Sequence, residues 1–314
     1  MLVLSVFGPS VWLRGATTVA ILAYLVSQID IRATWDALVS VDLRYLLLVL
    51  VLVGVDRVGM VARWVLLVQS SHERMATKSV VWIHLVGSFL GSMLPAGIGG
   101  DAARAYALSR RTAQTDEAVA SVAVDRLVGV ISIATMGAIG LALWALRDPS
   151  VSGGVVVLVT LSTVAVGVIT LWSDQVVRGA LPSSWHTSGV GRRLLRAADA
   201  VARYRARPST LGVVFLVSLG VQALRIVEAY FLGRGLGIDV QLWYYLVFIP
   251  VGLLAFLLPI SIAGFGLPQG VIVWLLRPVG VPDPHALALS TLIVMTGLVG
   301  TLPGAVLYTR AAKT

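Results

Sequence analysis

Leu94-Pro95-Ala96-Gly97-Ile98-Gly99-Gly100-Asp101-Ala102-Ala103-Arg104 sets a helix-breaking turn, a carboxylate and a guanidinium inside a chain otherwise apolar enough to live in lipid. A bilayer core tolerates broken backbone only where protein or a water-filled cavity satisfies the freed N–H and C=O groups. It tolerates ionisable side chains only when they are paired or functional. The segment therefore reads as the lining of a transport or lipid-binding site.

The composition agrees with that setting. Of 314 residues, 58% are hydrophobic and only 12% charged, and the mean hydropathy is +0.91. That is too little polar surface for a soluble globule, so the expected class is an all-α, polytopic integral membrane protein. The net charge of +9 is spread between long apolar runs without any finger, RRM or basic-zipper pattern, which excludes nucleic acid as the expected partner and favours a membrane surface. There is no cysteine, hence no disulfide, thiolate nucleophile or Cys-based metal site. The start lacks a basic n-region, its first cation being Arg14, and reads as an uncleaved first span.

Apolar runs of about 20 residues, the length that crosses roughly 30 Å of hydrocarbon, place spans at Val11–Gln28, Tyr45–Val68, Ala118–Leu146, Val155–Trp172, Leu211–Leu232 and Ala286–Tyr308. Two further apolar segments are interrupted, Val80–Arg111 at Pro95 to Gly100 and Trp243–Leu276 at Pro259 to Pro268. Both read as re-entrant helix pairs, since a helix from Asp101 to Arg111 rises only about 15 Å. Six spans and two re-entrant pairs put Arg74, Lys78, Arg110, Arg111, Arg310 and the basic cluster from Arg178 to Arg207 on one side, with both termini. Arg32, Arg44, Arg147, Arg234 and Arg277 fall on the other, so the first side is the cytoplasm.

The breaks line up as an internal repeat. Gly54-Val55 with Trp64 downstream parallels Gly220-Val221 with Arg225, Glu228 and Tyr230; Leu94-Pro95 to Gly99 parallels Leu258-Pro259 to Gly264. The expected plan is one membrane domain over 1–314, with inverted pseudo-repeats at 43–146 and 211–308. Between them lies a basic linker, 173–210. Its arginines 192, 193, 196 and 203 alternate with Leu194, Leu195, Ala198 and Val201 at near-helical spacing, as in an amphipathic helix on anionic lipid or a plain topogenic loop. Trp35, Trp144, Trp172, Trp243, Tyr244, Tyr245 and Tyr308 sit near span ends, as interface belts do.

Arg57, Arg63, Arg126, Arg225, Asp56, Asp125 and Glu228 fall inside predicted spans. A lone charge at a helix centre costs at least about 2.5 kcal/mol, so these groups must pair or face water. Asp56 with Arg63, Asp101 with Arg104 and Arg225 with Glu228 share helix faces; Asp125 and Arg126 must find partners on other helices. One reading is an ion-pair lattice that ties the two halves together. The other is an anion site: guanidiniums suit a phosphate ester, and the helix opened by Gly99-Gly100 adds free N–H groups, with Asp101 as its cap. The candidate substrate-binding residues are Arg57, Arg63, Gly99, Gly100, Asp101, Arg104, Asp125, Arg126, Arg225, Glu228, Ser261 and Gln269.

Three elements carry a family resemblance. Leu94-Pro95 with Gly100-Asp101-Ala102-Ala103-Arg104, Val124-Asp125-Arg126-Leu127-Val128-Gly129, and Pro259-Ile260-Ser261-Ile262-Ala263-Gly264-Phe265-Gly266 resemble the lysylphosphatidylglycerol synthase transmembrane region, also called the flippase-like domain family. The resemblance covers nearly the whole chain and implies a prokaryotic inner-membrane protein. Some members move aminoacylated phospholipid between leaflets, and others are tied to polyprenyl-linked sugars. Two departures stand out: Gln269 where the family has Glu, and a last span with Thr291, Met295 and Thr296 where an Arg is common. Both argue against a cationic aminoacyl headgroup, and the synthases' soluble aminoacyl-transfer domain is not expected here.

No HExxH, nucleophile elbow or P-loop is present, and His72, His84, His186 and His285 are scattered, so neither an enzyme nor a cofactor or metal site is expected. His84 reads as a helix-packing residue. The expected function is a flippase-like transporter of an anionic phospholipid or a polyprenyl-phosphate-linked lipid. The alternatives are a membrane scaffold of envelope synthesis and a proton-coupled solute carrier. Candidate protein partners are a second copy or an envelope-synthesis enzyme.

Overall fold

The computed structural model describes residues 29–70, 75–93, 98–112, 115–147, 153–182, 188–257 and 266–311. All their regular structure is helical. In chain order the helices are α1 (Ile31–Val39), α2 (Leu43–Ser70), α3 (Thr77–Met93), α4 (Ile98–Ser109), α5 (Thr115–Ala145), α6 (Gly153–Leu171) and α7 (Ser173–Ala180). They continue as α8 (Gly189–Ala202), α9 (Pro208–Gly235), α10 (Leu242–Leu257), α11 (Leu267–Leu276), α12 (Asp283–Val299) and α13 (Leu302–Ala311).

Four stretches are long and apolar enough to cross a membrane: α2, α5, α9, and the rod Asp283–Arg310 that α12 and α13 form across a short break. A fifth is added if α6 and α7, bent by 83°, count as one. The four match spans read from the sequence; Val155–Trp172 falls in the bent α6–α7 pair, and Val11–Gln28 lies outside the described residues. α2, α5 and α9 run long because their Leu, Val and Ile runs hold no proline inside; the one in α9, Pro208, stands at its first turn, where no amide is needed.

α2 and α9 pack antiparallel. The Asp42 amide donates to the Gly235 carbonyl (2.9 Å) at one end, and the Tyr204 hydroxyl donates to the Leu67 carbonyl (3.3 Å) at the other. Burial of Tyr204 pushes its phenol above the ordinary value, so it stays a donor. α2 also links two apolar cores. Val49 and Val53 join Tyr244, Tyr245, Phe248 and Leu289 in one, while Trp64 and Leu67 belong to clusters at the opposite end. Between Val53 and Trp64 the same helix carries Asp56, Arg57, Met60 and Arg63, so a polar zone lies between two dry ones.

The first interrupted segment folds back on itself: α3 and α4 are 17 and 12 residues long and pack antiparallel through glycines. Gly87 and Gly100 leave no room for a side chain. A Cβ on Gly100 would meet the Gly87 carbonyl oxygen at 2.6 Å and the Gly91 Cα at 2.9 Å, both of them backbone. Gly100→Ala is therefore expected to lower stability by about 1–3 kcal/mol in detergent melting, because the backbone must part. Gly54→Ala on α2, which meets nothing within 4 Å, is the control and should melt at or above the parent temperature. Equal melting of the two variants would remove the glycine contact as the reason for the pair.

Two sequence expectations are corrected. The basic linker turns part of its apolar face onto protein: Ala200, Val201 and Tyr204 are buried against Leu67, Ala120 and Val124, while Leu194 stays exposed. Ion pairs pin it, Arg203 to Glu117 at 3.4 Å and Arg178 to Asp199 at 2.8 Å. A protein surface covers the C-terminal part of the stripe. Tyr244 and Tyr245 are core residues, not belt residues, at 5% and 0% exposure. Their rings pack on Trp144, Tyr230 and Phe248 instead.

Candidate functional site

A cavity of about 410 Å³ occupies the polar zone, walled by α2, α3, α4, α5, α9, α10 and α12. Each helix turns one face to it. On α2 that face is Val53, Asp56, Arg57, Met60 and Arg63; on α9 it is Gln222, Arg225, Glu228, Ala229 and Leu232. Both sets recur at three- and four-residue steps, as a single helical stripe does.

One cluster is an alternating chain of charge. The Arg63 Nε donates to Asp125 Oδ1 at 2.7 Å, and Arg104 Nη1 donates to Asp125 Oδ2 at 3.1 Å. Arg104 Nη2 donates to Asp101 Oδ1 at 2.5 Å, and Arg126 Nε donates to Asp101 Oδ2. Asp125 is 1% exposed, and a carboxylate buried so completely persists as an ion only between cations. Arg104 also lies over the Trp64 ring, 5.1 Å from its centroid. Its Nη1 stands 3.2 Å from His84 Nδ1; since a guanidinium only donates, His84 accepts there and carries its proton on Nε2.

The second cluster joins α2 to α9 and α12. Arg225 Nε donates to Asp56 Oδ1 at 3.0 Å, Arg57 Nε lies 3.7 Å from Asp56 Oδ2, and Arg57 Nη2 donates to the Gly297 carbonyl at 3.1 Å. Around the cavity five guanidiniums, Arg57, Arg63, Arg104, Arg126 and Arg225, face four carboxylates, Asp56, Asp101, Asp125 and Glu228. By count the cavity lining carries one more guanidinium than carboxylates.

Of the sequence candidates, Arg57, Arg63, Gly100, Asp101, Arg104, Asp125, Arg126, Arg225 and Glu228 line this cavity; Gly99 and Gln269 do not. Ser261 lies outside the described residues. Gln269, 1% exposed, turns its side-chain carbonyl to the Gly266 amide at 2.6 Å. It caps the start of α11, where Gly266 holds φ at 109°. The α3 backbone packs against the Cα of Gly100. Asp101, read as a cap, gives both oxygens to guanidiniums.

Two same-helix pairings are replaced by pairings between helices. Arg63 bonds Asp125 instead of Asp56, and Arg225 bonds Asp56 instead of Glu228. Seven residues of helix rise about 10 Å, further than Asp56 and Arg63 bridge comfortably, whereas packed helices bring side chains directly opposite. The sequence reading missed Ser218, whose hydroxyl receives Arg63 Nη1 at 3.3 Å, and Gln222, which lines the cavity. Their signal was a polar stripe on α9 at positions 218, 222 and 225.

Similarity supplies the frame for this geometry. No curated protein matches the chain. The family described as Lysylphosphatidylglycerol synthase TM region matches residues 11–304, which takes in every cavity wall. With four membrane-length helices and that match, the chain is a membrane protein of the lysylphosphatidylglycerol synthase transmembrane-region family.

Proposed function

We propose that the protein is a flippase-like lipid transporter of a prokaryotic cytoplasmic membrane, which takes an anionic lipid headgroup into the central cavity and passes it between leaflets. The observation that carries this reading is the charge imbalance, five guanidiniums against four carboxylates in a cavity between helices of membrane length. An anionic headgroup leaving water needs a replacement for its hydration, and fixed guanidiniums supply it. Family membership is consistent with a lipid-related role.

The proposal includes two inverted halves and cytoplasmic termini. Support comes from the order of element lengths, 28, 17, 12 and 31 residues for α2 to α5, and 28, 16 and 10 for α9 to α11, followed by the 28-residue rod. Each half is a long helix, two short ones and a long one. On this plan Arg111 and Arg277, both exposed, lie on opposite sides of the membrane. The native chain has no cysteine, so Arg111→Cys and Arg277→Cys should react with an impermeant maleimide from opposite sides of intact cells. Labelling of both from one side removes the inverted plan.

Reconstituted in vesicles, the protein is expected to carry tail-labelled anionic phospholipid across the bilayer faster than protein-free vesicles do. Transfer equal to the protein-free rate overturns the transport reading. The scaffold reading then takes its place, favoured by the fact that Arg63, Arg104 and Arg225 already hold carboxylates.

A further inference from the structure

The rod Asp283–Arg310 is interrupted where α12 gives way to α13. Pro303, in the first turn of α13, has no N–H for the Val299 carbonyl four residues earlier. The Thr301 amide donates to the Leu298 carbonyl at 2.9 Å, three residues back, and so does not close the helical bond to Gly297. Two backbone carbonyls thereby lose their helical donors inside a membrane-length stretch, where such groups must be met from within the protein. Another helix meets one of them: Arg57 Nη2 on α2 donates to the Gly297 carbonyl at 3.1 Å.

Arg57 is held differently from the other cavity guanidiniums. Arg63, Arg104, Arg126 and Arg225 each donate to a carboxylate. Arg57 Nε lies 3.7 Å from Asp56, beyond hydrogen-bond length, and has no hydrogen-bond partner among the described residues. Its Nη1 reaches the Met60 sulfur at 3.6 Å, a weak acceptor. Its firmest hold is therefore the Gly297 carbonyl, an uncharged acceptor. A phosphate oxygen is charged and offers a guanidinium two parallel bonds, so an anion in the cavity takes Arg57 from that carbonyl.

The two sides of the break are anchored to different parts of the fold. Leu289 and Leu292 of α12 sit in the larger dry core. A Cβ on Gly304 of α13 would strike the Leu85 carbonyl oxygen, so α13 rides directly on α3, which lines the cavity with His84, Ser88 and Ser92. We infer that Arg57 is a latch between the anion site and the last span. Without an anion it ties α2 to the Gly297 carbonyl and keeps α12 and α13 in one rod. Anion binding draws the guanidinium off that carbonyl, and α13 pivots with α3 about residues 300–303, so that a cavity wall moves with occupancy. The inference rests on the lipid-binding reading above and adds how that binding is passed to the helices.

The test is the distance between spin labels at Val213→Cys on α9 and Arg310→Cys on α13, both exposed positions in a chain without native cysteine. α13 extends about 15 Å past the break, so a pivot of about 20°, the size of a proline kink, moves its end by about 5 Å. In phosphatidylcholine nanodiscs the distance distribution should shift by that amount when short-chain phosphatidylglycerol is added, and stay in place with short-chain phosphatidylcholine. Arg57→Leu should show the shifted distribution before any addition and respond no further, whereas Arg57→Lys, which keeps a charged donor, should retain part of the response. Pro303→Ala returns an N–H to the Val299 carbonyl and should remove most of the shift while phosphatidylglycerol still binds. Binding is followed separately by calorimetry. A constant distance at saturating phosphatidylglycerol overturns the latch and leaves the lipid-binding reading standing; so does an Arg57→Leu variant that responds as the parent does. No binding of phosphatidylglycerol overturns both. If Arg57→Leu does not fold, a full parental shift in both Arg57→Lys and Pro303→Ala overturns the latch.

Discussion

Asp125→Ala is expected to lower the stability of the purified protein by about 3–5 kcal/mol, enough to abolish most folded yield in detergent. Asp125 is 1% exposed and bonds two guanidiniums, each on a side chain only 7% exposed. Removing it strands two buried cations, and the loss is dominated by their desolvation and not by the missing attraction. Asp125→Asn should be nearly as damaging, since the amide keeps the shape but not the charge. A second substitution, Arg63→Met, should recover part of the loss. Asp125 is the carboxylate that Arg63 bonds, whereas Arg104 retains Asp101. Thermal melting followed by size-exclusion recovery measures all of these, and a double-mutant cycle gives the coupling. Asp125→Ala melting with the parent would mean that the carboxylate is solvated and that the charge chain does not hold the fold.

Arg126→Gln and Arg57→Gln should each lower lipid transfer in reconstituted vesicles by about tenfold or more while leaving the protein folded. The magnitude is that of a charge-assisted hydrogen bond, about 1.5–3 kcal/mol. Arg126 is the most exposed of the five cavity guanidiniums at 43%, so its ion pair with Asp101 adds little to stability. Arg57 at 22% exposure keeps one guanidinium nitrogen without a partner among the described residues. Lysine at either position should fall between parent and Gln, as a point charge lacks the planar fork that grips phosphate. Unchanged transfer in folded Gln variants would move anion binding away from these two residues. Loss of folding with transfer would assign them to the ion-pair lattice instead.

These expectations differ from a reading that treats all the arginines alike, and the difference is a matter of partners. His84 illustrates it. As a lone histidine in an apolar helix it reads as packing, and it does pack, 5.6 Å from the Trp64 ring. It also accepts from Arg104 and so joins the charged wall. Gln222 was passed over because one amide in an apolar span carries little local signal. The neighbours that make it notable, Arg63 with Ser218 on one side and Arg225 with Asp56 on the other, come together only when α2 lies along α9.

The amino-acid sequence by itself determined that the chain is helical and membrane-embedded, where its long helices run, where the first interrupted segment breaks, and which ionisable groups lie at depth. Each of these is local: a span must bury about 20 consecutive residues in lipid, and a break or a charge violates that rule within its own segment. Only the tertiary structure decided which acid each arginine holds, since Asp125 meets Arg63 across 62 residues and Asp56 meets Arg225 across 169. The same packing turned the basic linker onto α5 and put Gln269 to capping α11. The physical reason is that charges of one sign are interchangeable along a chain, and only the crossing of packed helices brings one chosen partner within hydrogen-bond reach.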